Sequence, residues 1–221
     1  MQRFSRRTFI AGGLALATGC AGCLSGGDES TPSAELGTIA ESSTPESERP
    51  LPSPVAGDPD ADVTVAAFED YACPHCATYS LQVFPQLASE YLEPGTVRYE
   101  FHDFPIPVDE TVSWQAANSA RAVQAAAGPQ AYFEFSEALF ANQSSLGPDM
   151  YASLADDVGV DGSAVRDAAT SRTYDPTVRG DRQRGVDRGV SGTPTVFVDG
   201  NEVTEATYDA ISTAIDDARN Q

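Results

Sequence analysis

Two of the four cysteines stand in the stretch Cys73-Pro74-His75-Cys76. Pro74 suits the first turn of a helix, where no backbone N–H is needed, so a helix is predicted to begin beside Cys73. The unpaired N–H groups of that turn favour negative charge, which predicts Cys73 as the reactive thiolate. Cys76 would lie deeper on the same face, positioned to attack a mixed disulfide held by Cys73. These four residues are the predicted catalytic set of a thiol–disulfide exchange site, in which His75 either helps Cys73 to ionise or simply faces solvent.

The pKa of Cys73 determines which reaction such a pair favours. A helix dipole alone lowers a thiol pKa by only about one unit from roughly 8.5, so a larger shift needs hydrogen bonds from backbone N–H groups. If the pKa fell about three units below neutral pH, the thiolate would be stabilised by about 4 kcal/mol. Because this stabilises only the reduced form, the disulfide would become the stronger oxidant by about 90 mV.

The cysteines could instead form a zinc site or a structural disulfide. Cys20 and Cys23 form a second pair of the same spacing, but 49 residues separate Cys23 from Cys73. Zinc sites of this type have gaps of about 15–20 residues, so a metal site is not predicted. A purely structural disulfide between Cys73 and Cys76 would close too short a loop to restrain the unfolded chain much.

The elements that must position the pair follow from hydrophobic periodicity and helix-breaking residues. Strands are predicted at 63–68, 97–102 and 195–198, and an Asp199-Gly200 turn leads into a further strand at 202–203. A helix begins at Pro74 and ends at Pro94-Gly95, nearly everything from 111 to 189 is helical, and a closing helix covers 208–218. The predicted class is α/β: one small sheet with helices on both faces and a helical insertion at about 110–188.

The first 56 residues have a different composition. Residues 1–23 contain Ser5-Arg6-Arg7-Thr8, a short apolar segment and Cys20, which together resemble a twin-arginine lipoprotein signal. Lipidation is assigned to Cys20, with Cys23 the weaker candidate and an uncleaved anchor helix the alternative. Residues 24–56 are rich in Ser, Pro and Glu and are predicted to be a disordered acidic tether. A single domain is predicted at 57–221.

The net charge of the chain restricts which partners it can bind. The chain has 33 acidic residues against 13 basic ones, all of them arginine, for a net charge of −20. Three arginines lie in the predicted leader, so the remainder carries 10 − 33 = −23. This field repels nucleic acid and anionic membrane surfaces. The absence of lysine with so many carboxylates favours a halophilic protein, whose surface charges would be screened at high salt, over an ordinary acidic one. Together with the N-terminal signal, this predicts a haloarchaeal exported lipoprotein.

Three segments together resemble a known family: VTVAAFEDYACPHCATYS, VRYEFHDFP and GVSGTPTVFVDG. They are similar to the thioredoxin-like disulfide oxidoreductases of the DsbA type, over about residues 62–220. The resemblance implies that Pro74-His75 is the dipeptide of the strongly oxidising members. It also implies that Pro194 follows a cis peptide bond opposite the cysteines, and that Thr193 offers backbone groups to an extended substrate chain.

One departure from the family concerns proton transfer. Many members have a buried carboxylate six residues before the first cysteine, and that position is Ala67 here. Glu69 and Asp70 are close by, but they are expected to face solvent. The resemblance therefore leaves the proton acceptor of Cys76 open. His102 and Trp114 are interpreted as structural residues.

The predicted function is a dithiol oxidase that introduces disulfides into exported proteins from the outer face of the cell membrane. An unidentified membrane electron acceptor would reoxidise it, and no cofactor besides the Cys73/Cys76 disulfide is expected. The first alternative is a reductase or isomerase of the same fold. The second is a non-catalytic metal carrier or binding module, with Cys73, Cys76 and His75 as ligands.

Overall fold

A five-stranded sheet forms the centre of the fold. The computed structural model describes residues 50–221. The strands lie in the order β1-β3-β2-β4-β5. β2 and β3 are parallel, and the other neighbours are antiparallel. Their bounds are Val55–Gly57 (β1), Val63–Glu69 (β2), Val97–Asp103 (β3), Thr195–Val198 (β4) and Asn201–Glu202 (β5).

The helices cover the sheet, and four of them lie between β3 and β4. The helix after β2 alternates between α and π turns: α1 Pro74–Thr78, a π turn Tyr79–Val83, α2 Phe84–Leu87 and a π turn Ala88–Leu92. The helices between β3 and β4 are α3 Glu110–Ala141, α4 Pro148–Asp157, α5 Gly162–Ser171 and α6 Asp175–Asp187, and α7 Tyr208–Arg219 closes the chain. This arrangement confirms the predicted α/β class with its inserted helices.

Three local features of the backbone are set by glycine, proline and aspartate residues. Gly128 interrupts α3 with φ 84° before Pro129, so the long helix bends there. The Asp161 side chain caps α5 by accepting from the N–H groups of Ser163 and Ala164. In the β4–β5 hairpin both Asp199 and Gly200 have positive φ, as the tight two-residue turn requires.

Several residues assigned to the predicted tether pair with the folded domain. Val55–Gly57 pairs with β3, and the Leu51 N–H donates to the Thr177 hydroxyl at 2.9 Å. The predicted tether therefore cannot extend to residue 56, because long-range backbone pairing orders its last residues. The predicted leader, Cys20 and the rest of the tether lie outside the described residues. Between residues 50 and 221, none of the helices has the length and apolar character needed to cross a membrane.

A buried ionic cluster ties the inserted helices to the sheet. Arg121 of α3 is fully buried and donates to Asp103 of β3 at 2.6 Å and to Asp181 of α6 at 2.5 Å. His102 is buried in the same cluster, with Nδ1 3.5 Å from Asp181, and its ring stacks on Phe68. Both contacts suit the structural role predicted for His102. The cluster fixes α3 and α6 against β3 and so fixes the frame around the cysteines.

Candidate active site

Cys73 lies at the N-cap of α1 and Cys76 lies inside the helix. Cys73 has extended backbone angles (φ −82°, ψ 119°), and Pro74 occupies the first turn as predicted. Both cysteines are buried and carry free thiols. The Cys73 thiol donates to the backbone oxygen of Thr193 at 3.4 Å. The structure thus brings the cysteine motif together with the loop before β4.

The Thr193-Pro194 peptide bond is cis, as the family resemblance implies. Both residues are half-buried, and the loop leads directly into β4. Because the Thr193 carbonyl faces the Cys73 sulfur, a chain docked beside this loop would lie against the reactive atom.

The Cys73 thiol is strongly acidic. The hydrogen bond from the Cys76 thiol is the largest cause, and together with the N–H groups of Cys76 and His75 it outweighs burial and lowers the Cys73 pKa to about 5. His75 contributes through its backbone, since its side chain is exposed. Cys73 therefore ionises well below neutral pH, as the helix start predicts.

Cys76 has the opposite character. It is completely buried, and burial, the shared hydrogen bond with Cys73 and the nearby Glu69 raise its pKa far above the usual thiol value. Its sulfur accepts a hydrogen bond from the Asp70 N–H at 3.4 Å. The site therefore contains one stable thiolate and one neutral thiol that needs a base before it can react.

The expectation that Glu69 and Asp70 face solvent is wrong. Glu69 is 1% exposed and Asp70 is 2% exposed. Glu69 stands two residues after Ala67 on β2, so both point to the same face of the sheet. That face is covered by the helix after β2 (residues 74–92, the active-site helix), whose Ser80 hydroxyl donates to Glu69 at 2.6 Å. Extending the strand pattern by one residue, to Glu69, would have predicted this burial.

Glu69 is a protonated acid at neutral pH. Burial raises its pKa to about 8, although the hydroxyls of Ser80 and Tyr99 donate to it and act in the opposite direction. When ionised, Glu69 also raises the pKa of Cys76. A buried acid with a pKa near neutral can give or take a proton in the working pH range.

Two further residues hold the active-site loop, and sequence reasoning missed both roles. Asp70 accepts 2.8 Å hydrogen bonds from the Ala72 N–H, the Ile106 N–H and the Ser113 hydroxyl. The Gln143 amide donates to the carbonyl oxygens of Tyr71 at 2.8 Å and Cys73 at 2.9 Å. No local signal marks Gln143, which is 70 residues from Cys73 in the chain.

No cluster of metal ligands is present in the part of the chain that the structure describes. Within it, no three His, Cys, Asp or Glu side chains converge as a metal site requires. Cys73, His75 and Cys76 in particular do not form such a group.

Comparisons with known proteins agree on the family. The family model described as Thioredoxin matches residues 51–217. Disulfide bond formation protein D of Bacillus subtilis is 25% identical over 175 residues, which cover 74% of this chain and 75% of that protein. The probable disulfide bond formation protein D of Bacillus cereus is 28% identical over 167 residues, covering 72% and 76%. The crystal structure of oxidised BdbD from Bacillus subtilis superimposes with a TM-score of 0.71 at 25% identity, covering 76% of this chain and 94% of that one.

Proposed function

This chain belongs to the thioredoxin family, and on that premise we propose that it introduces disulfide bonds into exported proteins. It is a thiol–disulfide oxidoreductase with a DsbA-type fold. The observation that carries the proposed direction is the asymmetry of the pair: Cys73 has a pKa of about 5 beside a neutral, buried Cys76. Because a stable Cys73 thiolate favours the reduced form, the disulfide form would readily accept electrons from a client.

The proposed reaction begins with the oxidised pair. A client thiolate attacks the Cys73 sulfur, the Cys73–Cys76 bond breaks, and Cys76 leaves as a thiolate that takes a proton from Glu69. A second client thiolate then attacks the client sulfur of the mixed disulfide. Cys73 leaves as a stable thiolate, the client gains one disulfide, and the pair has accepted two electrons.

Reoxidation runs these steps in reverse with an electron acceptor in place of the client disulfide. Glu69 would then take the proton from Cys76 as it attacks the mixed disulfide on Cys73. We place the acceptor in the membrane, and the clients outside the cell, because of the predicted export signal and lipid anchor at Cys20. Thr193 and Pro194 would hold an extended client segment by strand addition.

The reduction potential of the Cys73/Cys76 pair tests the direction. We expect a value closer to the roughly −120 mV of DsbA than to the roughly −270 mV of thioredoxin. The potential should fall by about 60 mV per pH unit below pH 5 and by about 30 mV above it, since Cys73 no longer takes up a proton above its pKa of about 5. Equilibration with glutathione from pH 4 to 8, in molar salt, measures both.

A potential near that of thioredoxin would contradict the oxidase assignment and favour the reductase or isomerase. A slope that stays at about 60 mV per pH unit up to pH 8 would contradict the acidic Cys73. Tight stoichiometric binding of copper or zinc without turnover of dithiols would instead favour the metal carrier.

Replacing Glu69 with glutamine tests its proton-transfer role. In the wild type, the rate at which Cys76 attacks a Cys73–glutathione mixed disulfide should rise with pH and level off above about 8, because Glu69 accepts a proton only when ionised. Glu69→Gln should lose this inflection and react at least about tenfold more slowly at pH 8. Stopped-flow release of glutathione gives the rate.

Ser80→Ala provides the matched control. It removes the 2.6 Å hydrogen bond that lowers the Glu69 pKa but keeps the carboxyl, so the inflection should move to higher pH. An inflection near pH 8 that persists in Glu69→Gln would show that another group transfers the proton.

A further inference from the structure

A cavity of about 330 Å³ opens behind the active-site helix, and it has no role in the steps above. It lies between that helix, the sheet and the part of α3 after the Gly128 bend. None of residues 73–76, 193 and 194 lines it, so it is separate from the face that meets a client. Its volume is in the range of small-molecule sites.

The interior of the cavity is aromatic. Its walls carry the rings of Phe84, Tyr99, Phe101, Phe133 and Phe140. The Phe84 and Phe133 rings are nearly parallel, with centroids 6.0 Å apart, and Phe84 lies 4.7 Å from Tyr99. Rings around unfilled space lack the dispersion contacts that close packing provides, so a flat apolar group in the cavity would restore them.

The mouth and the base of the cavity are polar in different ways. The exposed carboxylates of Glu93, Glu134 and Glu137 line it, and no lysine or arginine does. The buried Glu69 carboxyl and the Ser80 hydroxyl line it as well. A ligand that matches this pattern has an aromatic ring for the interior and a cation for the rim, where the carboxylates and the ring faces both favour positive charge.

We propose that this cavity binds a small arylalkylamine, with its ring against the aromatic walls and its ammonium group among Glu93, Glu134 and Glu137. Glu69 lines the same cavity, so the ammonium group of a bound ligand would act on its carboxyl. Resting on the proposed function, this makes the cavity a regulatory site, since the positive charge favours ionised Glu69, which then accepts the Cys76 proton at lower pH. The binding itself does not depend on the direction of the redox reaction.

Calorimetric titration of the protein with three probes tests the chemistry. 2-Phenylethylamine should bind saturably with one site per chain. 2-Phenylethanol, which keeps the ring and lacks the charge, should bind at least about fivefold more weakly, and ethylamine should show no saturable binding. Absence of saturable 2-phenylethylamine binding, or equal affinity for the alcohol, would overturn the proposal.

Variants locate the site. Glu134→Gln with Glu137→Gln should weaken 2-phenylethylamine about fivefold and leave 2-phenylethanol unchanged. The charge-matched control is Glu202→Gln with Glu205→Gln, two exposed residues outside the cavity lining, and it should leave both affinities unchanged. Ala88→Phe, which fills the cavity from the helix side, should abolish binding of both probes. Equal weakening by the rim pair and the control pair would show attraction to overall charge and overturn the proposed site.

The redox consequence is measured separately. Saturating 2-phenylethylamine should move the pH inflection of the Cys76 attack to lower pH in the wild type, and should have no effect in Ala88→Phe. If the probe binds as described but the inflection stays in place, the site stands and its regulatory role is overturned. A failure of the oxidase assignment would appear in the potential and leave the titrations unaffected.

Discussion

Replacing Cys73 with serine is expected to reduce dithiol oxidation by more than about a thousandfold, because the atom that clients attack is removed. The variant should also form no mixed disulfide with a client peptide. Both results depend on Cys73 alone being the acidic, client-facing sulfur beside Thr193. Oxidation of a two-cysteine peptide, followed by mass spectrometry, measures the first, and non-reducing electrophoresis measures the second.

Cys76→Ser is the matched variant and should behave differently. It keeps Cys73 but cannot form the internal disulfide, so catalytic oxidation is lost. When the peptide is supplied in its disulfide form, Cys73 attacks that bond and one peptide sulfur leaves as a thiolate. The mixed disulfide at Cys73 then accumulates, because no Cys76 thiol is present to resolve it. The fully buried Cys76 should itself remain unmodified by client thiols in Cys73→Ser. Mixed disulfide at Cys76 in that variant would contradict the assigned roles.

Replacing Arg121 with methionine is expected to lower the free energy of unfolding by about 3–5 kcal/mol. Arg121 is fully buried, and its loss leaves the carboxylates of Asp103 and Asp181 in the core without their shared cation. Breaking a buried pair costs more than the pair contributes, because the remaining charge has neither water nor a partner. Urea denaturation at neutral pH measures the change.

Two controls separate this effect from a general charge effect. Arg219→Met removes an exposed pair with Asp216 and should cost less than about 1 kcal/mol. The Arg121→Met deficit should shrink as the pH falls towards 5, because burial already raises the Asp103 pKa to about 6 and orphaned carboxyls take up protons more readily still. A loss of stability as small as that of Arg219→Met, or one independent of pH, would contradict the stabilising role of the buried ionic cluster.

The chemistry of the cysteines could be predicted from the sequence because it is local. A proline after Cys73 starts the helix, the helix start supplies N–H groups, and the spacing puts Cys76 one turn deeper. The same holds for the bend at Gly128 and the hairpin at Asp199-Gly200, where backbone preferences act within two or three residues. The leader and the lipidation at Cys20 stay predictions.

Other features required the packed molecule. β1 is too short for a periodic signal and forms only because β3 offers an open edge. Gln143 reaches the carbonyls of the active-site loop from a distant turn, and Asp70 joins three separated segments. Such contacts depend on how α3 crosses the sheet, which no stretch of sequence encodes by itself.

For Glu69, the sequence determined the position in the chain, and the tertiary structure determined the chemical properties. The sequence by itself determined a carboxylate near the cysteines and a strand that leads up to it. Only the tertiary structure decided that the active-site helix covers this carboxylate and that Ser80 and Tyr99 hold it in place. The physical reason is that a carboxyl pKa depends on the water and dipoles around it, and these are supplied by residues distant in the chain.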